Sequence, residues 1–155
     1  MRAKSSEGFP RPILPVAMYT AFAQWMIRPI NNGPMAVSEF RGKVVFLNLW
    51  SVSCAPCIGE MPGIEKLQES LRGDPVVFLA VTRDGEKDIR SFLEKHPMRV
   101  PVYLTERDTP EYLWGSGVPV TLILDTGGKS VYSTVGAMNW DDDEARKFIR
   151  KLEKQ

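Results

Sequence analysis

Apolar residues recur along this chain in two rhythms. Between Val44 and Trp50 the run Val-Val-Phe-Leu-Asn-Leu-Trp is nearly continuous and bounded by turn-forming residues, which predicts a central strand buried on both faces. From Ala55 to Leu71 the rhythm changes: Ile58, Met61, Ile64, Leu67 and Leu71 fall three or four apart, the period of a helix. Pro62 is expected to kink that helix near its middle, because proline offers no backbone N–H. Gly73-Asp74-Pro75 closes this unit, and Val76 to Val81 predicts a second buried strand. Glu86 to Lys95 follows as an amphipathic helix with Ile89, Phe92 and Leu93 inward, leading to a short strand at Val102 to Leu104. The alternation predicts two β-α-β crossovers and the α/β class.

The flanking segments complete the sheet. Gln24 to Ile30 and Met35 to Val37 bracket Asn31-Asn32-Gly33, whose Asn-Gly step tolerates positive φ and predicts a β-hairpin. Ser38 to Gly42 reads as a short capped turn and Pro110 to Trp114 as one helical turn. Thr121 to Leu124 is a further apolar strand, joined by a turn at Thr126-Gly127-Gly128 to Val131 to Val135. The last helix opens with Asp141, Asp142, Asp143 and Glu144 and closes with Lys147, Arg150, Lys151 and Lys154. That distribution complements the helix dipole at both ends and calls for no charged partner.

Length and charge narrow the possibilities. The 155 residues suit a single domain, and 43% hydrophobic with 25% charged residues places the chain among folded globular proteins. Twenty Lys and Arg against nineteen Asp and Glu leave a formal charge of +1, too little to predict nucleic acid as a partner. Residues 24–155 are read as the domain and 1–23 as an N-terminal extension, or the remnant of a targeting region. Pro12 to Ile27 carries no charge, Arg2, Lys4 and Arg11 precede it, and Ala21-Phe22-Ala23 imitates a cleavage site. Against an export signal, Pro12, Pro15, Tyr19, Thr20 and Gln24 interrupt the apolar run, and Glu7 stands in the basic region.

The chemistry lies in Cys54-Ala55-Pro56-Cys57, the chain's two cysteines. With His96 as the one histidine, they make neither a disulfide scaffold nor a four-ligand zinc site without acidic residues or a second chain. Cysteines at i and i+3 on the first turn of a helix are within reach of one another, so a reversible disulfide is feasible. Cys54 falls at the helix N-terminus, where unpaired N–H groups stabilise a thiolate, and Cys57, one turn further, is expected to be more buried. Cys54 is therefore the expected attacking thiol and Cys57 the resolving one. Pro56 removes a donor between them, a means of tuning the reduction potential.

The run from Ser38 to Pro62, including Trp50-Ser51-Val52-Ser53-Cys54-Ala55-Pro56-Cys57-Ile58-Gly59-Glu60, resembles the thioredoxin-like proteins of the TlpA/ResA/CcmG group. Gly117-Val118-Pro119-Val120-Thr121-Leu122-Ile123-Leu124-Asp125 and Val135-Gly136 continue the resemblance, which spans roughly residues 24 to 152. It implies a thioredoxin fold: a central mixed sheet flanked by helices, with an N-terminal hairpin and an inserted α-β element at Glu86 to Leu104. It further implies disulfide reduction without a cofactor or metal, in a bacterial protein that is exported or membrane-tethered or, as in some relatives, cytosolic, often in cytochrome c maturation. Pro119 would be the cis-proline facing the dithiol, and the Val118 backbone would pair with an extended substrate. Glu60, three residues after Cys57, would accept the resolving thiol's proton. Thioredoxin's buried aspartate corresponds to Asn48, which cannot act as a base. Ser53 departs from the family's usual tryptophan, so substrate preference is open. Trp50 is read as packing beneath the active-site loop, His96 as a solvated or capping residue, and Met98, Trp114 and Trp140 as packing residues.

The partners implied are a disulfide-containing protein and an upstream thiol donor, with the chain itself a monomer. Two other readings stay open. A thiol peroxidase shares this fold, and Ser51 stands three before Cys54 as its hydroxyl residue does, although its proline is Leu47 here. A copper-delivery module would use the two thiolates, although the related chaperones space their cysteines by one more residue and need a placed histidine.

Overall fold

Seven strands hydrogen-bond in the order β2-β1-β5-β4-β3-β6-β7. They are β1 (Met26–Pro29), β2 (Met35–Ala36), β3 (Val44–Trp50), β4 (Val76–Thr82), β5 (Val102–Arg107), β6 (Val120–Leu124) and β7 (Ser130–Val135). The helices are α1 (Tyr19–Gln24), α2 (Ala55–Ser70), α3 (Glu86–Lys95) and α4 (Asp143–Glu153). This computed structural model describes residues 19–155, so residues 12–18 of the uncharged N-terminal stretch, with the basic residues before them, lie outside the described residues. Among the described residues, no helix is long and apolar enough to cross a membrane.

Every residue of β3 is buried, as a strand covered on both faces requires. Its alternation divides two cores. Val44, Phe46 and Trp50 face α2, α3 and α4 together with Ile64, Leu67, Ile89 and Ile149. Val45, Leu47 and Leu49 face the other way, onto Phe22, Trp25, Ile27 and Val37. β3 pairs in parallel with β4, and β4 with β5, which produces the two crossovers the sequence predicts. The β1/β2 hairpin, β6 and β7 pair antiparallel, making the sheet mixed. The predicted inserted α-β element is α3 with β5, the latter reaching three residues past Leu104 to Arg107.

Two expectations shift. The packed unit reaches back before residue 24, because Phe22 is buried at 1% exposure in the second core. Ile58, included in the apolar stripe of α2, is 37% exposed, because the stripe that faces the core starts at its neighbour Cys57, fully buried, and continues through Met61, Ile64, Leu67 and Leu71. Pro62 lies within α2, which continues on both sides of it. His96 lies exposed at the end of α3 with its ring stacked on Phe92 at 4.7 Å, and Trp140 packs edge-on against Phe46 and Tyr132.

The acidic start of α4 resolves into distinct tasks. Asp142 is the N-cap, its carboxylate accepting the Glu144 N–H at 2.8 Å, while Asp141 and Asp143 pair with Arg146. Replacing Asp142 with alanine is expected to cost about 1 kcal/mol. For a chain of this size that lowers the melting temperature by roughly 2–4 °C in a calorimetric scan, whereas Asp143→Ala is expected to change it little.

Candidate active site

Because β3 and β4 are parallel, their C-terminal ends meet at one edge of the sheet, where open α/β folds gather reacting groups. β3 ends at Trp50, and Ser51, Val52 and Ser53 turn the chain into α2. Cys54 is the N-cap of α2, with extended backbone, and its Sγ accepts the Cys57 N–H at 3.2 Å. The helix thus opens on a sulfur, and Pro56 in its first turn adds no competing donor. An N–H directed at Sγ and the positive helix end both favour a thiolate at Cys54 once the pair is reduced.

Cys54 and Cys57 are joined in a disulfide, with Cα atoms 5.3 Å apart. Cys54 is half-buried and Cys57 fully buried, while Ser53, Ala55 and Pro56 lie exposed around them. An incoming sulfur therefore reaches Cys54 and not Cys57. The Val118-Pro119 peptide is cis, and the Val118 carbonyl oxygen stands 3.7 Å from Cys54 Sγ. Gly117, at φ +83°, turns the chain into this loop, and the Pro119 carbonyl accepts the Gly136 N–H at 2.8 Å. The loop that leads into β6 thereby lies against the dithiol.

Glu60 lies one turn below Cys57 on the same side of α2. Both are buried, whereas Ile58 and Gly59 between them are exposed. Its two carboxylate oxygens are separately engaged: Oε1 accepts Asn48 Nδ2 at 2.8 Å and Oε2 accepts the Met138 N–H at 2.9 Å. Burial pushes the Glu60 carboxyl above the usual carboxylate range, opposed in part by these two donors. The same Asn48 amide donates to Thr121 Oγ1 at 3.0 Å, tying β3, α2 and β6 together in the layer beneath the cysteines. Asn48 was legible in the sequence as a non-base; its part in holding Glu60 was not.

The sequence reading also passed over Asp84. It follows β4 by two residues and lies opposite the turn that carries Cys54. No motif marks it, and only the parallel register brings it there. Trp50 lies beneath the turn at 1% exposure against Phe92, as expected of a packing residue.

The profile of the AhpC/TSA family matches residues 21–138. The chain belongs to the AhpC/TSA family. Among relatives of this AhpC/TSA chain, the thiol-disulfide oxidoreductase ResA of Geobacillus thermodenitrificans is 28% identical over 129 residues, covering 82% of this chain and 74% of the relative. The thioredoxin-like protein YneN of Bacillus subtilis is 27% identical over 124 residues, covering 77% and 72%. Among solved structures, a Chlorobium tepidum protein designated thiol:disulfide interchange protein DsbE superposes with a TM-score of 0.72 at 25% identity, covering 84% of this chain and 94% of its own. The fold is the thioredoxin fold.

Two local features speak against the peroxidase reading of these cysteines. The Ser51 hydroxyl donates to Asp84 Oδ1 at 3.0 Å and meets Ser53 Oγ at 3.0 Å, so its proton is directed to the carboxylate and not to either sulfur. Leu47, at the position where a peroxidase carries proline, is buried within β3.

Proposed function

We propose that this chain is a thiol-disulfide oxidoreductase that chiefly reduces disulfides in partner proteins on the extracytoplasmic side of a bacterial membrane, drawing electrons from an upstream thiol donor. One observation carries the reading: a half-exposed Cys54 at a helix N-terminus is bonded to a fully buried Cys57. The kinship to ResA and to the DsbE-designated structure supports it.

In the proposed cycle the Cys54 thiolate attacks one sulfur of the partner's disulfide, and the partner's other sulfur leaves and takes up a proton. A mixed disulfide now joins Cys54 to the partner. Glu60 accepts the Cys57 proton, and the resulting thiolate attacks Cys54 Sγ, expelling the partner's second thiol and closing the Cys54–Cys57 disulfide. Two electrons have passed to the partner, and a thiol donor restores the dithiol. Val118 and Pro119 hold the partner's extended segment over Cys54, and the exposed Ser53, Ala55 and Pro56 border its approach. The test is reduction of a protein disulfide such as insulin by the reduced chain, with trapping of the cysteines. Loss of one substrate disulfide per Cys54–Cys57 disulfide formed supports the cycle. Consumption of hydrogen peroxide without disulfide exchange would favour the peroxidase reading instead.

Glu60 gives the cycle a pH signature. Its raised pKa makes the acid limb of the resolving step fall at a pH above the usual carboxylate range, since only the ionised form accepts a proton. Glu60→Gln is expected to slow release of the partner by about 10²-fold and to abolish that limb, as read in single-turnover quench experiments across pH 4–8. Asn48 accommodates the amide by turning its own over, so that its oxygen accepts from Gln Nε2 and from the Thr121 hydroxyl. Stability moves in the opposite sense to activity. With the folded pKa above the unfolded one, the charged carboxyl costs stability at neutral pH, and that cost is relieved as pH falls through the raised value.

A further inference from the structure

Asp84 is half-buried and gathers three donors. Its Oδ2 accepts the Val52 N–H at 2.9 Å and the Thr82 hydroxyl at 2.8 Å, while Oδ1 accepts the Ser51 hydroxyl at 3.0 Å. The parallel register explains the meeting. Asn48 stands opposite Ala80 and Trp50 opposite Thr82, so two residues further along the ladder the turn residue Val52 faces Asp84. The strands no longer pair there, and the carboxylate replaces the missing backbone acceptor. The Asp84 N–H in turn donates to Thr82 Oγ1 at 3.1 Å, which fixes the carboxylate from its own side.

These contacts end on the backbone N–H of Cys54, the residue that carries the reacting sulfur. The Ser51 carbonyl accepts the Cys54 N–H at 3.1 Å, and the Ser51 hydroxyl meets the Ser53 hydroxyl at 3.0 Å and accepts the Ser53 N–H at 3.3 Å. All three turn residues between β3 and Cys54 are therefore held, directly or through Ser51, by a single carboxylate from the neighbouring strand. We propose that Asp84 is a positioning residue for the redox reaction: it clamps the Ser51–Ser53 turn so that Cys54 Sγ stays seated on the α2 N-terminus, facing the Val118 carbonyl. It touches no substrate and acts through the turn. The proposal rests on the disulfide-exchange reading above for its consequence in turnover, and on geometry alone for its effect on the sulfur.

Two substitutions separate clamping from charge. In Asp84→Asn, Oδ1 can accept from Val52 and Thr82 while Nδ2 donates to Ser51 Oγ, whose proton turns to Ser53; the clamp survives and the charge is gone. In Asp84→Ala both are lost. The reduced proteins are titrated by the pH dependence of iodoacetamide alkylation at Cys54, then assayed for reduction of insulin, with melting temperatures recorded alongside. Asp84→Ala is expected to reduce insulin about tenfold more slowly and to move the Cys54 alkylation profile to higher pH, with Asp84→Asn within about twofold of the parent in rate. Ser51→Ala, which removes one arm of the clamp, is expected to fall between them and serves if Asp84→Ala does not fold.

Equal displacement of both Asp84 variants would mean the carboxylate acts by charge, and would overturn the clamp. So would a wild-type profile and rate in Asp84→Ala with only the melting temperature lowered. The two claims fail separately. A parent that reduces no protein disulfide, yet whose Cys54 profile moves in Asp84→Ala and returns in Asp84→Asn, retains the clamp and loses the proposed function.

Discussion

Replacing Cys54 with serine is expected to lower protein-disulfide reduction by at least about 10³-fold while leaving the fold in place. Serine is itself a favoured N-cap, so its Oγ can take the Cys57 N–H that Sγ now accepts, and the start of α2 is kept. What is lost is the one sulfur a partner can reach. Cys57→Ser has a different signature, because attack by Cys54 is intact and resolution is not. A mixed disulfide with the substrate is expected to accumulate, visible as a mass increment that a reductant removes. Were Cys57 the attacking thiol, the two variants would exchange behaviours. The burial difference between the sulfurs makes that exchange the sharpest contradiction of the assignment.

Phe46→Ala is expected to destabilise the chain by about 3–5 kcal/mol. Phe46 is fully buried on β3, in ring contact at 4.9 Å each with Phe78, its register partner on β4, and with Trp140, in the segment that leads into α4. Truncation removes its transfer free energy and leaves a cavity that rigid strands cannot close. Urea unfolding followed by tryptophan fluorescence should show the midpoint falling with little change in slope, and the melting temperature falling by about 10 °C. Ile58→Ala, on the exposed first turn of α2, is the control and is expected to stay within about 0.5 kcal/mol. If the two cost the same, the division into a buried sheet face and a surface around the dithiol is wrong.

Periodicity carried the regular elements. The Val44–Trp50 run suits a strand covered on both faces and is one, and α3 spans Glu86–Lys95 in keeping with the spacing of Ile89, Phe92 and Leu93. The cysteine pair was equally legible, since its spacing is local and a helix start makes both its reach and its asymmetry predictable. Ile58 was misread because Cys57, one residue earlier, fits the same three-and-four spacing to Met61 and Ile64 and takes the buried place. The partners of Glu60 were beyond reach for another reason. Asn48, Thr121 and Met138 come from three separate segments, and only the closed sheet brings them together. Asp84 needed the register of β3 against β4, a property of pairing and not of either strand alone.

The reduction potential of the Cys54/Cys57 couple tests the central claim most directly. The chain would be equilibrated in defined dithiol buffers and its thiols trapped and counted. A single two-electron couple near the thioredoxin end of the scale, at about −270 mV, is the predicted result, with both cysteines changing state together. A couple near about −120 mV would make the chain an oxidant that introduces disulfides, and the absence of any reversible two-cysteine couple would contradict disulfide exchange altogether.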